Sequence, residues 1–93
     1  MFKSQSNYKF FKNQIMSNLE KYDEIFLTNF RVTKEQLNTL EYQSVSVWDS
    51  IGHMGLIAAL EETFEIMIDT EDIISYASYE NGKKILLKYN VEI

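Results

Sequence analysis

Apolar residues recur every three to four positions near the start of the chain, which is the spacing of one helix face. The residues on this face are Phe11, Ile15, Leu19, Tyr22 and Phe26. They predict an amphipathic helix from about Asn7 to Tyr22 or slightly beyond. We expect residues 1–6, which precede this helix, to be flexible.

The segment from Asp23 to Ser46 shows no sustained apolar period, and we interpret it as a long ordered loop. Within it, Thr33-Lys34-Glu35-Gln36 is a capping-box pattern that predicts a short turn of helix. The apolar residues of this region are too many for a free linker, so we expect them to pack onto the bundle. They are Phe26, Phe30, Leu37, Leu40, Tyr42, Val45 and Val47.

A second helix begins near Ser50, and its two faces differ in character. At 100° per residue, one arc of roughly 100° predicts a core-facing stripe, formed by His53, Leu56, Ile57, Leu60 and Phe64. The opposite face has Ile51, Met54, Gly55, Ala58, Glu61, Glu62 and Glu65. Gly52 and Gly55 each cost on the order of 1 kcal/mol inside a helix. Either close approach of a partner or of a group attached to the protein, or a fraying first turn, accounts for them.

Two further helix starts follow, and together with the earlier elements they predict an all-α fold. Asp69 predicts a short helix from Thr70 to about Tyr76, with Ile73 and Ile74 turned inward. Ser78 predicts a helix from Tyr79 to about Tyr89, whose inward residues are Ile85, Leu86 and Tyr89. The result is a small bundle of three principal helices and one short helix, with a long loop between the first two.

Length and composition limit the classes of function. The chain has 93 residues, 45% of them hydrophobic, which suits one small domain with little room for an enclosed catalytic cavity. It has no cysteine, so it offers no thiolate metal site and no cysteine nucleophile. There is no run of 18 apolar residues and no secretory signal pattern. We therefore expect a soluble, cytoplasmic protein without membrane insertion.

Negative charge is concentrated in the middle of the chain. The net charge is −5, and the stretch from residue 49 to residue 72 contains no Lys or Arg. Its acidic residues are Asp49, Glu61, Glu62, Glu65, Asp69, Glu71 and Asp72. Charge of this sign argues against nucleic acid as a partner and favours basic patches on proteins. The alternative is that these acids only solvate a helix face.

Ser50 is the main candidate for chemistry. The amides at a helix N-terminus and their partial positive charge tolerate a phosphodiester. The hydroxyl has no evident activator, because the only histidine, His53, is predicted to face the core as a hydrogen-bonded or partly buried residue. Without a second histidine or a cysteine, a zinc site is not expected. For an isolated Asp49-Ser50 pair, simple N-capping would be the alternative.

The sequence around Ser50 resembles the modification site of acyl carrier proteins. Asp49-Ser50-Ile51 opens a helix that ends in Leu60-Glu61-Glu62-Thr63-Phe64 and is followed by Ile66-x-Ile68-x-x-Glu71-Asp72. The resemblance is strongest from Trp48 to Asp72, and helix order and spacing extend it to residues 1–93 as a single carrier domain.

The resemblance implies a helical bundle with a covalent cofactor. Ser50 would receive 4′-phosphopantetheine from coenzyme A through a phosphopantetheinyl transferase and a divalent metal, with Asp49 near the metal and phosphate during the transfer. The arm's thiol would hold acyl groups as thioesters. The protein would not be an enzyme, and its partners would be an acyl-loading ligase or acyltransferase and downstream acyl-processing enzymes. The residues expected to contact partners are Ile51, Met54, Glu61 and Glu62.

The chain also departs from the fatty-acid type of this family. Gly52 and Gly55 stand where those carriers often place acidic residues, which would weaken contacts with basic patches. Trp48 and the Gly52-His53 pair are more similar to stand-alone carriers. The resemblance therefore implies a specialised pathway (polyketide, peptide or surface-polysaccharide) or a fatty-acid-related one.

Two other classes of function remain open. An unmodified helical interaction module would use the acidic second helix as its whole functional surface, and Ser50→Ala would then be silent. A small enzyme would turn over substrate without coenzyme A, but no convergent set of catalytic groups supports it. We expect a monomer, although exposed Ile51 and Met54 leave contact with a second copy open.

Overall fold

The computed structural model describes residues 16–93, which form a small all-α bundle and confirm the predicted fold class. The elements are α1 (Asn18–Phe30), a 3₁₀ helix (Lys34–Thr39), α2 (Ser50–Phe64), α3 (Thr70–Ser75) and α4 (Tyr79–Leu87). α1, α2 and α4 are the principal helices and α3 is the short one. The connection between α1 and α2 is long and contains the 3₁₀ helix.

The first helix of the described residues extends further along the chain than the apolar spacing predicts. Ser17 is its N-cap: the Ser17 hydroxyl accepts from the Glu20 amide at 3.1 Å, and the Glu20 carboxylate accepts from the Ser17 amide at 2.9 Å. The helix continues to Phe30 and ends at Arg31, whose φ is 55°. The predicted end at Tyr22 or slightly beyond is therefore wrong, since the helix runs eight residues further, and the extended backbone of the Ser17 cap interrupts any helix that would continue from before it. The predicted start at about Asn7 lies outside the described residues.

The buried face of α1 includes the predicted Tyr22 and Phe26 but not Leu19. It consists of Tyr22, Ile25, Phe26 and Phe30. Leu19, placed on this face by the sequence pattern, is 40% exposed because it lies in the first turn beyond the core. The predictions for Phe11, Ile15 and residues 1–6 lie outside the described residues.

The predicted loop from Asp23 to Ser46 is wrong for its first part, since residues 23–30 belong to α1. The 3₁₀ helix starts at the predicted capping box, where the Gln36 side chain accepts from the Thr33 amide at 2.8 Å. Leu37 and Leu40 are buried. Val45 is partly buried against the core, so much of this connection packs onto the bundle as expected, but Tyr42 and Val47 are exposed.

Hydrogen-bonded tyrosines join α1 to the C-terminal part of the core. The Tyr22 hydroxyl donates to the Tyr79 carbonyl at 2.8 Å and lies 2.7 Å from the Tyr76 hydroxyl. Burial raises the pKa of both Tyr22 and Tyr76 well above the usual value of 10.0, so both stay neutral. Gly82 leaves space for this pair, because a Cβ there would overlap the Tyr76 ring and the Tyr22 hydroxyl.

The short helix α3 is held against the end of α4 by Asp72. Its carboxylate accepts from the Lys88 ammonium at 2.6 Å and from the Tyr89 hydroxyl at 2.5 Å. The Tyr89 hydroxyl accepts in turn from the Asp69 amide at 2.9 Å. Asp72 is 8% exposed, so it belongs to this contact and not to an exposed acidic surface.

Two smaller expectations for the C-terminal helices need correction. Ile74 is 77% exposed, whereas Ile73 is half-buried and packs against the core. Adjacent helix residues point about 100° apart, and in this short helix the core lies on the Ile73 side only. α4 ends at Leu87, two residues before the predicted end. Its start is confirmed, with the Ser78 hydroxyl accepting from the Asn81 amide at 2.9 Å.

The Asp72 contact gives the free energy of unfolding a pH dependence. Lys88 and Tyr89 hold the pKa of Asp72 below its usual 3.8, so its stabilising contribution is present above about pH 4 and is lost as the pH falls through the lowered pKa. We expect Asp72→Asn to lower the urea midpoint at neutral pH, with the difference from wild type narrowing in acid. Glu71→Gln, at an exposed neighbour, should shift the midpoint little. If the difference in urea midpoint between Asp72→Asn and the wild type stayed constant as the pH fell, this explanation would be contradicted.

Candidate functional site

The candidate site is the start of α2, where Asp49 and Ser50 are both exposed. Asp49 is the N-cap, and its Oδ1 accepts from the Gly52 amide at 2.8 Å. Its backbone carbonyl accepts from the His53 amide at 2.7 Å. Ser50 is the first residue of the helix, so its side chain stands at the positive end of the helix dipole.

Trp48 is fully buried next to this start and lies nearly parallel to two other rings. Its ring centroid is 4.8 Å from that of Phe30, with an interplanar angle of 14°. The His53 ring lies 6.2 Å away at 17°. We call these three side chains, Phe30, Trp48 and His53, the aromatic seat of Ser50. They connect α1, the end of the long loop and the first turn of α2.

Both ring nitrogens of His53 are hydrogen-bonded, which confirms its predicted role as a satisfied, partly buried residue. The Trp48 Nε1–H donates to His53 Nδ1 at 3.0 Å. An indole nitrogen can only donate, so Nδ1 must be the acceptor and Nε2 carries the hydrogen. His53 Nε2 then donates to the Ile73 carbonyl at 2.8 Å. His53 thus links α2 to α3 and has no ring nitrogen left to act as a base for Ser50.

Gly52 has a structural explanation within the chain itself. A Cβ at this position would overlap the Val47 carbonyl oxygen and come within 3.3 Å of the Phe30 ring. The close approach that this glycine permits is therefore made by the loop before α2, and not, as expected, by a partner or an attached group. Gly55 differs, because a Cβ there would meet only the Asn29 side chain, at an ordinary 3.6 Å.

The rest of α2 divides into two faces, as the helical wheel predicts. Leu56, Ile57 and Leu60 are buried, and Phe64 is half-buried against the core. On the opposite face, Ile51 is 82% exposed and Met54 is 55% exposed. The solvent-exposed face of α2 therefore begins with two apolar side chains within one turn of Ser50.

The two acidic residues predicted to contact partners have different surroundings. Glu62 is exposed. Glu61 is half-buried, and its Oε2 accepts from the Ile68 amide at 3.0 Å. This bond fixes the turn after α2, where Glu65 adopts a left-handed conformation with φ of 56°. Glu61 thus has a structural task in addition to any contact with a partner.

A groove of about 330 Å³ lies at the other end of α2, about 20 Å along the helix from Ser50. It is lined by Asn18, Lys21, Thr63, Phe64, Glu65, Asn90 and Val91. The structure does not bring this groove together with the candidate site. Within residues 16–93, no three His, Asp or Glu side chains are grouped so that they could hold a metal ion.

The comparisons with known proteins give no assignment: no protein family model, curated protein or solved structure matches the chain. Among the helices of residues 16–93, none is both long and apolar enough to cross a membrane.

Trp48 and its bond to His53 are the feature of the site that the sequence pattern missed. A signal was available, because a tryptophan buried near a helix start needs an acceptor for its N–H. The only histidine of the chain lies five residues away. The spacing alone does not show that the loop turns the indole back under the helix.

The two glycines of α2 form a matched pair for testing this geometry. We expect Gly52→Ala to destabilise the protein by about 1–3 kcal/mol, because the methyl group overlaps the Val47 carbonyl. Gly55→Ala should be neutral or stabilising by up to about 1 kcal/mol, since alanine favours the helix and has room. Urea unfolding of both variants measures the difference. Equal effects would contradict the close approach at Gly52.

Proposed function

We propose that the protein is an acyl carrier that bears 4′-phosphopantetheine on Ser50, transferred from coenzyme A by a phosphopantetheinyl transferase. The observation that carries the proposal is the placement of Ser50. It is exposed at the first position of α2, next to an aspartate cap, and the hydrogen bonds of His53 to Trp48 and Ile73 anchor the turn that follows it. A modifying enzyme can reach such a serine without unfolding any of the bundle.

The surroundings of Ser50 suit a phosphodiester. The first amides of a helix have no intrahelical acceptor. Asp49 accepts from the amides of Gly52 and His53, which leaves those of Ser50 and Ile51 to face a phosphate on the serine oxygen. The arm itself would supply a terminal thiol that holds acyl groups as thioesters, which a chain without cysteine otherwise lacks.

Asp49 has two tasks in this proposal. Its capping bond to Gly52 sets the first turn of α2. Asp49 also directly precedes Ser50 and is exposed, so its carboxylate would help to hold the divalent metal that the transferase uses. His53 has no part in the chemistry, because both its nitrogens are bound by Trp48 and Ile73.

The exposed face of α2 is the proposed contact surface for partner enzymes, with Ile51 and Met54 as apolar contacts next to the arm. Glu62 adds negative charge further along the helix. Glu61 adds negative charge as well, although one of its carboxylate oxygens is already bound to the Ile68 amide. These features suit an apolar depression with a basic rim on a loading ligase, an acyltransferase or a downstream enzyme. The pathway would be a specialised one or one related to fatty acids.

The test is modification of the purified protein by a broad-specificity phosphopantetheinyl transferase with coenzyme A and magnesium. Intact mass should rise by one phosphopantetheinyl group in the wild type and in Ser46→Ala, an exposed control serine four residues upstream. Ser50→Ala should show no gain. A folded wild type that stays unmodified beside an active control carrier would refute the proposal and favour an unmodified interaction module.

Asp49→Asn separates the two tasks of Asp49. Asparagine caps helices as well as aspartate does, so the free energy of unfolding should change by less than about 0.5 kcal/mol. The initial rate of modification should fall by about tenfold or more, because the charge beside the metal is lost. Urea unfolding and the time course of the mass gain measure the two effects. An unchanged rate would leave Asp49 with capping alone.

A further inference from the structure

The strongest additional observation concerns the space under Ser50, where the cargo of an attached arm would enter if the bundle sheltered it. Trp48 is fully buried and Phe30 is 2% exposed. Together with His53 they fill the region beneath the first turn of α2 with nearly parallel rings. The region next to the attachment point is therefore occupied by large side chains in contact with one another.

The side of this region between α2 and α3 is closed by hydrogen bonds. His53 Nε2 donates to the Ile73 carbonyl at 2.8 Å, while its Nδ1 accepts from the Trp48 indole. Tyr42 and Tyr76 approach the His53 ring edge-on, with centroids at 5.5 Å and 6.3 Å. A chain passing between the two helices would have to separate these groups and leave a buried N–H and a carbonyl without partners.

The side towards α1 is closed by backbone contact. Gly52 lies so close to the Val47 carbonyl and to Phe30 that not even a methyl group fits between them. Deeper in the bundle, the paired hydroxyls of Tyr22 and Tyr76 make the interior polar at one point. An alkyl chain that entered between the elements of residues 16–93 would therefore lose hydrogen bonds as well as aromatic contacts, and these residues offer it no continuous apolar lining.

We infer that the cargo of the Ser50 arm stays in solvent, and that the protein therefore carries short or polar acyl groups, such as amino acids or hydroxy acids, in preference to long alkyl chains. This inference rests on the proposed function. A long alkyl chain held outside the bundle would remain in contact with water, which is unfavourable in proportion to its apolar area. A short polar acyl group has no such cost.

The first test compares two loaded forms of the whole chain. The transferase attaches the arm from acetyl-coenzyme A or octanoyl-coenzyme A, and hydroxylamine then cleaves the thioester. Each rate is divided by that of the corresponding free cysteamine thioester. We expect the two ratios to agree within about twofold, since neither cargo is protected by burial. An octanoyl ratio lower by about tenfold, as in a control carrier that shelters this chain, would overturn the inference.

The second test does not need the transferase. The chain has no cysteine, so Ser50→Cys offers a single thiol for a methanethiosulfonate reagent. One reagent carries an octyl tail and the other a short hydroxylated tail. We expect equal Tm values and equal Trp48 emission for both adducts, whereas a higher Tm and shifted emission with the octyl tail alone would show entry into the bundle and overturn the inference. If the two adducts have equal Tm and equal emission but the transferase does not modify the wild type, the carrier role would be refuted and the conclusion that the interior is closed would stand.

Discussion

The hydrogen bond from the Trp48 indole to His53 is the interaction on which the rest of the site depends. It fixes the tautomer of His53, which in turn directs Nε2 towards the Ile73 carbonyl. One buried donor thus sets the position of the loop before α2, the first turn of α2 and the short helix α3. Losing it would leave an indole N–H in the core without an acceptor, at a cost of about 1–3 kcal/mol.

This arrangement separates the parts of the molecule that hold the fold from those that can meet other molecules. The aromatic seat and the Val47 contact at Gly52 lie inward, while Ser50, Ile51 and Met54 face solvent. The acidic residues divide in the same way. Asp72 binds Lys88 and Tyr89 inside the fold, whereas Glu62 lies on the surface and Asp49 is exposed while it also caps α2. Part of the negative charge of the middle of the chain therefore stabilises the fold, and the other part lies on the surface.

Local signals in the sequence predicted most of the fold. The caps at Thr33 and Ser78 and the apolar period of α2 each depend on residues three to four positions apart. The N-cap of α1 at Ser17 was missed because the apolar spacing was weighed without the Ser17-x-x-Glu20 pattern, which is equally local. The candidate serine was found through resemblance. The tyrosine pair Tyr22–Tyr76 joins residues 54 positions apart and has no local signal.

The measurement that tests the central claim most directly is the nitrogen NMR spectrum of the His53 imidazole, recorded together with hydrogen exchange of the Trp48 indole. The account predicts an Nε2–H tautomer with Nδ1 as an acceptor, and an indole N–H that exchanges far more slowly than that of a free tryptophan. An Nδ1–H tautomer, or an indole that exchanges at the free rate, would contradict it, because Ser50 would then stand on a helix start that is not fixed by its aromatic seat.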